Sequence, residues 1–269
     1  MFSNKNCTLT EYDELYKIFM FDFTADPIGI VDKSQRFRIV NGDPAKIEDH
    51  PYEVIIEIKY IELFCAGAII SDRHIVTVAR CARFAQVKRA IIRSGSSRKN
   101  FGGDEHNISL VTIHQDWEGD EENNIAVVKV VEPFQFNKIP KAIPLMDQDE
   151  KIQNGTSAIV SGWGVTESGE TNQLFKLSVV IIDLSTCKKM WKVDHIDEGW
   201  MCAKNFENKG KVVCSGDYGD TLVIGKGQDK RLAGILIWTW RLENCDDDKP
   251  RAYVNIAHYR NWINEAIQK

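Results

Sequence analysis

Seven cysteines stand at positions 7, 65, 81, 187, 202, 214 and 245, and no two of them form a C-x-x-C pair. That absence argues against a structural zinc site or thioredoxin-type redox chemistry. Six of the seven follow residue 38, and their spacing alone does not choose between buried thiols and any particular set of bridges. The six histidines, His50, His74, His106, His114, His195 and His258, are scattered and read as ordinary surface or core residues. Carboxylates gather in two stretches, Asp116, Glu118, Asp120, Glu121 and Glu122, and then Asp246 to Asp248. Both read as solvated loops, the alternative being a face for basic partners. The first lacks a recognisable calcium-ligand pattern, so no metal site is assigned. Arg80, Arg83, Lys88 and Arg89 form a basic counterpart. Asn-x-Ser/Thr sequons begin at Asn6, Asn107 and Asn154, where glycosylation would be consistent with secretion.

These residues need a scaffold, and the chain supplies a β-rich one. Its 269 residues, 43% of them hydrophobic, suffice for one large or two smaller all-β units. The net charge of −5 gives no prior for nucleic-acid binding, and no apolar run approaches a membrane span. Short β-type runs separated by turn signals recur through residues 39–269: Val54–Ile58, Ile69–Ile70, His74–Val78, Ala90–Ile92, Ile108–Ile113, Ile125–Val131, Ser157–Val160, Phe175–Val180 and Leu232–Ile237. Runs of this kind predict a sandwich or barrel. Tyr259, Trp262, Ile263, Ala266 and Ile267 follow the spacing of an amphipathic helix at the end. Residues 1–38 differ. A helix start at Thr10 to Asp13 precedes Asp26-Pro27 and a polar stretch ending at Arg38, and Lys17 and Asp22 interrupt anything resembling a secretory signal.

Seven phrases, in order, resemble the trypsin-like (chymotrypsin-fold) serine proteases. They are Ile39-Val40-Asn41-Gly42 after Arg38, Phe64 to Ile70 around Cys65, His74 to Cys81, Asn124 to Lys129, Ser161-Gly162-Trp163-Gly164, Cys214 to Gly219, and Ile237-Trp238-Thr239. The resemblance covers residues 39–269 and implies two six-stranded Greek-key β-barrels with a C-terminal α-helix. Residues 1–38 would then be a leader or propeptide-like segment. The resemblance also implies bridges Cys65–Cys81, Cys187–Cys202 and Cys214–Cys245, leaving Cys7 as a free or capped thiol or a link to a second chain.

Carried onto this chain, the family's triad positions fall on Arg80, Asn124 and Tyr218. A guanidinium has no lone pair to accept a proton at neutral pH, an amide carries no charge to steady an imidazolium, and a phenol needs a base. The specificity-pocket positions are Val212, Thr239 and Arg251. Thr239 and Arg251, with Tyr218, are expected to fill or close the pocket, the alternative being that Arg251 turns to solvent. The oxyanion region keeps Gly216 but has Asp220, whose charge has the wrong sign for that task. Ile39 and Asp217 would pair if Arg38–Ile39 were cleaved. The segment from Ser94 to Gly103 is similar to the group 3 mite allergens, and the altered triad resembles the scabies-mite inactivated protease paralogues. That resemblance implies a catalytically inactive, secreted, monomeric homologue, not an enzyme, without cofactor, nucleic-acid or membrane partners. It would bind host proteins and inhibit complement. The alternative is a decoy or cofactor that engages protease inhibitors or proteases.

Overall fold

The structure is a computed structural model, and it describes residues 42–58, 63–85, 90–163, 165–166, 169–170, 172–194, 196–206, 213, 218–238 and 248–269. In chain order the strands of the first half are β1 (Asp43–Pro44), β2 (Glu53–Ile58), β3 (Leu63–Ile69), β4 (His74–Thr77), β5 (Ala90–Ser94), β6 (Asp104–Ile113) and β7 (Ala126–Val130), with helix α1 (Ala79–Ala85) after β4. The second half holds β8 (Ser157–Gly162), the hairpin β9 (Val165–Thr166) and β10 (Gly169–Glu170), β11 (Phe175–Ile182), α2 (Leu184–Trp191), β12 (Trp200–Lys204), β13 (Thr221–Ile224), β14 (Arg231–Trp238), β15 (Arg251–Asn255) and α3 (Ile256–Ile267).

Strands β2-β3-β4-β7-β6-β5 close into one antiparallel barrel through the β2–β5 pairing. Strands β11-β12-β15-β14-β13-β8 form a second, closed by the β8–β11 pairing. The expected pair of six-stranded barrels with a C-terminal helix is therefore present. Strand β1 precedes the first barrel in sequence but pairs with β11 of the second, Asp43 opposite Lys176, and so straps the two together.

Strand β2 explains why the apolar runs look continuous rather than alternating. Val54, Ile56 and Ile58 point into the first barrel's core. Ile55, on the opposite face, packs with Trp163 and Leu174 against the second barrel. A strand covered on both faces needs apolar residues at both parities. The same division appears on β14, where Ile235 and Ile237 join one cluster and Ala233 and Leu236 another.

One residue breaks this pattern. Glu53 on β2 is completely buried. Its Oε1 accepts hydrogen bonds of 2.5 Å from Ser161 Oγ on β8 and Thr221 Oγ1 on β13, so it ties the first barrel to the second. Among the described residues, its other oxygen has no hydrogen-bond partner. Burial pushes its carboxyl up to about 8, against the two hydroxyl donors that would lower it.

Several elements escape the periodicity. Helix α2 is set by Asp183, whose side chain accepts from the Thr186 amide at 2.8 Å, and it ends at Lys192 in a left-handed conformation. The Cys187–Cys202 bridge fastens α2 to β12, and Cys65–Cys81 fastens β3 to α1. The third implied bridge, Cys214–Cys245, lies outside the described residues, as do Cys7 and the helix start at Thr10. Helix α3 follows the expected spacing, burying Tyr259, Ile263 and Ala266, with Asn255 as its N-cap.

Candidate functional site

Arg80 and Asn124 meet where β4 runs into α1 and the 116–124 loop enters β7. Asn124 is 1% exposed. Its Oδ1 accepts from the Arg80 backbone amide at 3.0 Å, and its Nδ2 donates to Glu121 Oε2 at 2.7 Å. The Arg80 guanidinium turns onto the same carboxylate, with Nη2 3.1 Å from Glu121 Oε1, and its Nη2 also lies 3.4 Å from the Gly119 carbonyl. Its Cζ lies 6.0 Å from the centre of the Tyr218 ring. The Arg80 side chain thus lies beside Tyr218, while Asn124 is bound to the Arg80 backbone.

Glu121, which sequence reasoning placed only in a solvated acidic loop, is the hub. Arg80 and Glu121 side chains are each 17% exposed. Burial raises the Glu121 carboxyl above the ordinary carboxylate range, while Arg80 and Asn124 pull it back. Its position three residues before Asn124 was legible, but nothing in its neighbourhood marked it as inward-facing. The acidic loop and the basic helix turn out to be partly each other's partner. Besides Arg80 with Glu121, Arg83 lies over the Trp117 ring at 6.0 Å, and Trp117 Nε1 donates to the Asp120 carbonyl at 2.8 Å. Lys88 and Arg89 lie outside the described residues.

The chemistry of this arrangement follows from its groups. A guanidinium stays protonated at any physiological pH, so Arg80 holds the loop by charge and hydrogen bonds and does not take up a hydroxyl proton. Breaking a largely buried pair strands the remaining charge. Arg80→Ala is expected to cost about 2–3 kcal/mol, since some solvent reaches the site, and to raise the Glu121 carboxyl further. Chemical denaturation checks the first, and carboxyl titration by NMR the second.

Tyr218 sits at a tight junction. Its carbonyl accepts from the Ala66 amide at 2.8 Å, and the next amide, Gly219, donates to Leu236 O at 3.0 Å. Gly219 has φ +91°, and a Cβ there would overlap the Ala66 carbonyl, so only glycine fits. Asp220 is buried, and its carboxylate lies against Gly162 on β8, occupying the space a Cβ would take.

Arg251 resolves one of the open alternatives. It is 6% exposed rather than turned to solvent. Its Nε donates to the Val213 carbonyl, and its Nη1 donates to the Lys249 carbonyl at 3.0 Å. The remaining assigned positions, Val212, Thr239, Gly216, Asp217 and Ile39, lie outside the described residues, as does Asn6. Asn107 and Asn154 are exposed. Among the described residues, no group of three or more His, Cys, Asp or Glu is arranged to hold a metal ion. Four of the described histidines, His50, His74, His106 and His114, are buried, and His258 is exposed. His50 bonds Tyr52 at 3.2 Å, His74 bonds Ser71 at 2.7 Å, and His106 bonds Ser94 at 2.9 Å. His50 and Ser161 belong to one buried network around Tyr52 and Glu53.

Two closed six-stranded antiparallel barrels, strapped together and finished by a helix, define the double-barrel serine-protease class. The family model described as Trypsin matches residues 39–263, and the chain belongs to that family. Trypsin epsilon of Drosophila erecta is 30% identical over 239 residues, covering 86% of this chain and 88% of that protein. Hypodermin-A of Hypoderma lineatum is 32% identical over 243 residues, covering 88% and 90%. A trypsin of Phaedon cochleariae is 28% identical over 245 residues, covering 88% and 92%. This membership corrects one expectation. The chain was expected not to be an enzyme, but its family is enzymatic and these relatives carry the names of proteases. What the geometry adds is narrower: any hydrolysis by this chain does not pass its proton through Arg80.

Proposed function

We propose that this trypsin-family chain is a secreted protein that acts by binding host defence proteins through its exterior loops, complement components foremost, and so restrains complement activation. The observation that carries the reading is the Arg80–Glu121–Asn124 lock. At the position that the motif resemblance assigns to the family's proton acceptor stands a cation, held by a carboxylate from the neighbouring loop. Such a cluster stabilises a loop surface, which is what recognition needs, while the barrels keep the loops in place.

The altered triad positions resemble those of the scabies-mite paralogues, and two disulfides suit an oxidising, extracellular setting. In this reading residues 1–38 are a leader and residues 39–269 the binding domain. The protein acts as a monomer with no nucleic-acid, membrane or cofactor partner. Cleavage after Arg38 would pair the Ile39 amine with Asp217.

The test is capture from host serum by the immobilised full chain. Enrichment of an intact complement component, not displaced by an active-site-directed protease inhibitor, is the expected result. No enrichment over an immobilised trypsin would count against the proposal. A second reading, a decoy for protease inhibitors or proteases, draws on the tight backbone kept around Tyr218 and Gly219. It predicts instead that the chain competes with an active protease for its inhibitors.

A further inference from the structure

Strand β6 carries an irregularity whose outer face is both apolar and open. The pairing of β6 with β7 shifts register between Ile108 and Leu110. The extra residue, Ser109, turns its hydroxyl onto the Lys129 carbonyl at 3.1 Å. A bulge of this kind re-aims the side chains that follow it. Leu110 is left 38% exposed, and Val131, just past β7, 45% exposed. Val131 is joined to the strand by its amide, which donates to the Asn107 carbonyl at 2.9 Å. Asn107 is itself exposed, and Asn107-Ile108-Ser109 is a sequon.

We infer that Asn107 is a modification site carrying an N-linked glycan, and that the glycan covers the Leu110 and Val131 side chains. The compartment is consistent, because the bridges Cys65–Cys81 and Cys187–Cys202 belong to the oxidising secretory route in which such sequons are read. The donor would be a lipid-linked oligosaccharide diphosphate. Asn107 Nδ2 forms a bond to the sugar C1 as the C1–O bond to the diphosphate breaks. The diphosphate leaves with the electron pair, and one Nδ2 proton is lost. Attached at an exposed position beside two apolar side chains, the first sugars lay their C–H faces over them and remove that surface from water. The proposal rests on secretion but not on any host partner, so its test uses none.

The full chain, supplied with a signal peptide, is secreted from a eukaryotic cell line. Peptides are then mapped by mass spectrometry after treatment with peptide N-glycosidase in ¹⁸O-water. The expected result is conversion of Asn107 to ¹⁸O-labelled aspartate, and its loss in both Asn107→Gln and Ser109→Ala. Two variants guard against one failing to fold. An unmodified Asn107 in secreted, disulfide-bonded protein overturns the inference, including the case where only Asn154 is modified. Removing the glycan is expected to raise binding of an apolar dye by about twofold, in line with the small area uncovered. Unchanged dye binding would overturn the covering role.

Discussion

Glu53→Gln is expected to make the protein more stable, by an amount that grows with pH. The wild-type carboxyl is fully buried and pushed up to about 8 from 4.5. Below pH 4.5 the group is protonated in both folded and unfolded chains and contributes nothing to the pH dependence. Above that the unfolded chain releases the proton and the folded chain retains it, so stability falls by about 1.4 kcal/mol per pH unit until the folded group also ionises. The loss is complete only above about pH 8. His50, lowered by burial to about 4, works in the opposite sense between about 4 and its ordinary value of 6.5. The wild type should therefore change little across the range where the two oppose, then weaken towards pH 8. His50 is common to wild type and variant, so the difference between them isolates Glu53. That difference should be small at pH 4.5 and on the order of 3–5 kcal/mol at pH 8 and above. An amide keeps a hydrogen-bonding group facing Ser161 and Thr221 without the ionisation. Denaturation midpoints at a series of pH values check this, and parallel curves for the two proteins would refute it.

The second prediction concerns the pocket. Replacing Arg80, Asn124 and Tyr218 together by His, Asp and Ser installs the residue types of the family's relay. We expect this triple change alone to leave kcat/KM on arginine and lysine substrates at the wild-type value. The Arg251 guanidinium is buried against the carbonyls of Val213 and Lys249, in the region the resemblance assigns to the substrate side chain. A second cationic side chain brought beside the buried guanidinium is repelled by it and gives up its own hydration. Arg251→Gly added to the triple change tests the cause, because it removes the obstruction and leaves the relay residues unaltered. A rise of about a hundredfold or more from the triple change alone, equivalent to about 2.7 kcal/mol of transition-state stabilisation, would show that the pocket is open.

The barrels were legible because their strands are written in β-branched residues between turn signals, and the terminal helix because Tyr259, Ile263 and Ala266 repeat at helical spacing. Helix α1 was hidden in Ala79–Ala85, too short for a period and rich in alanine. Strand β15 reads Arg251-Ala-Tyr-Val-Asn, and its leading arginine disguises a strand buried from Arg251 to Val254. The meeting of Arg80, Asn124 and Tyr218 came from a resemblance in motif order. Composition could not have joined residues so far apart in the chain. Glu121 escaped because a carboxylate in an acidic loop is ordinarily solvated, and only the arrival of Arg80 and Asn124 makes its burial tolerable. Glu53 escaped for the opposite reason. It lies beside the buried run Val54-Ile55-Ile56 and looks like the polar end of a strand, until the second barrel is placed over it.

The recognition account is tested most directly by complement deposition on an antibody-coated surface, measured in host serum with increasing amounts of the purified full chain. It predicts a dose-dependent fall in deposition, with the affected complement component recovered bound to the chain. Deposition that stays level at every dose, or a fall with no complement component bound to the chain, would contradict it.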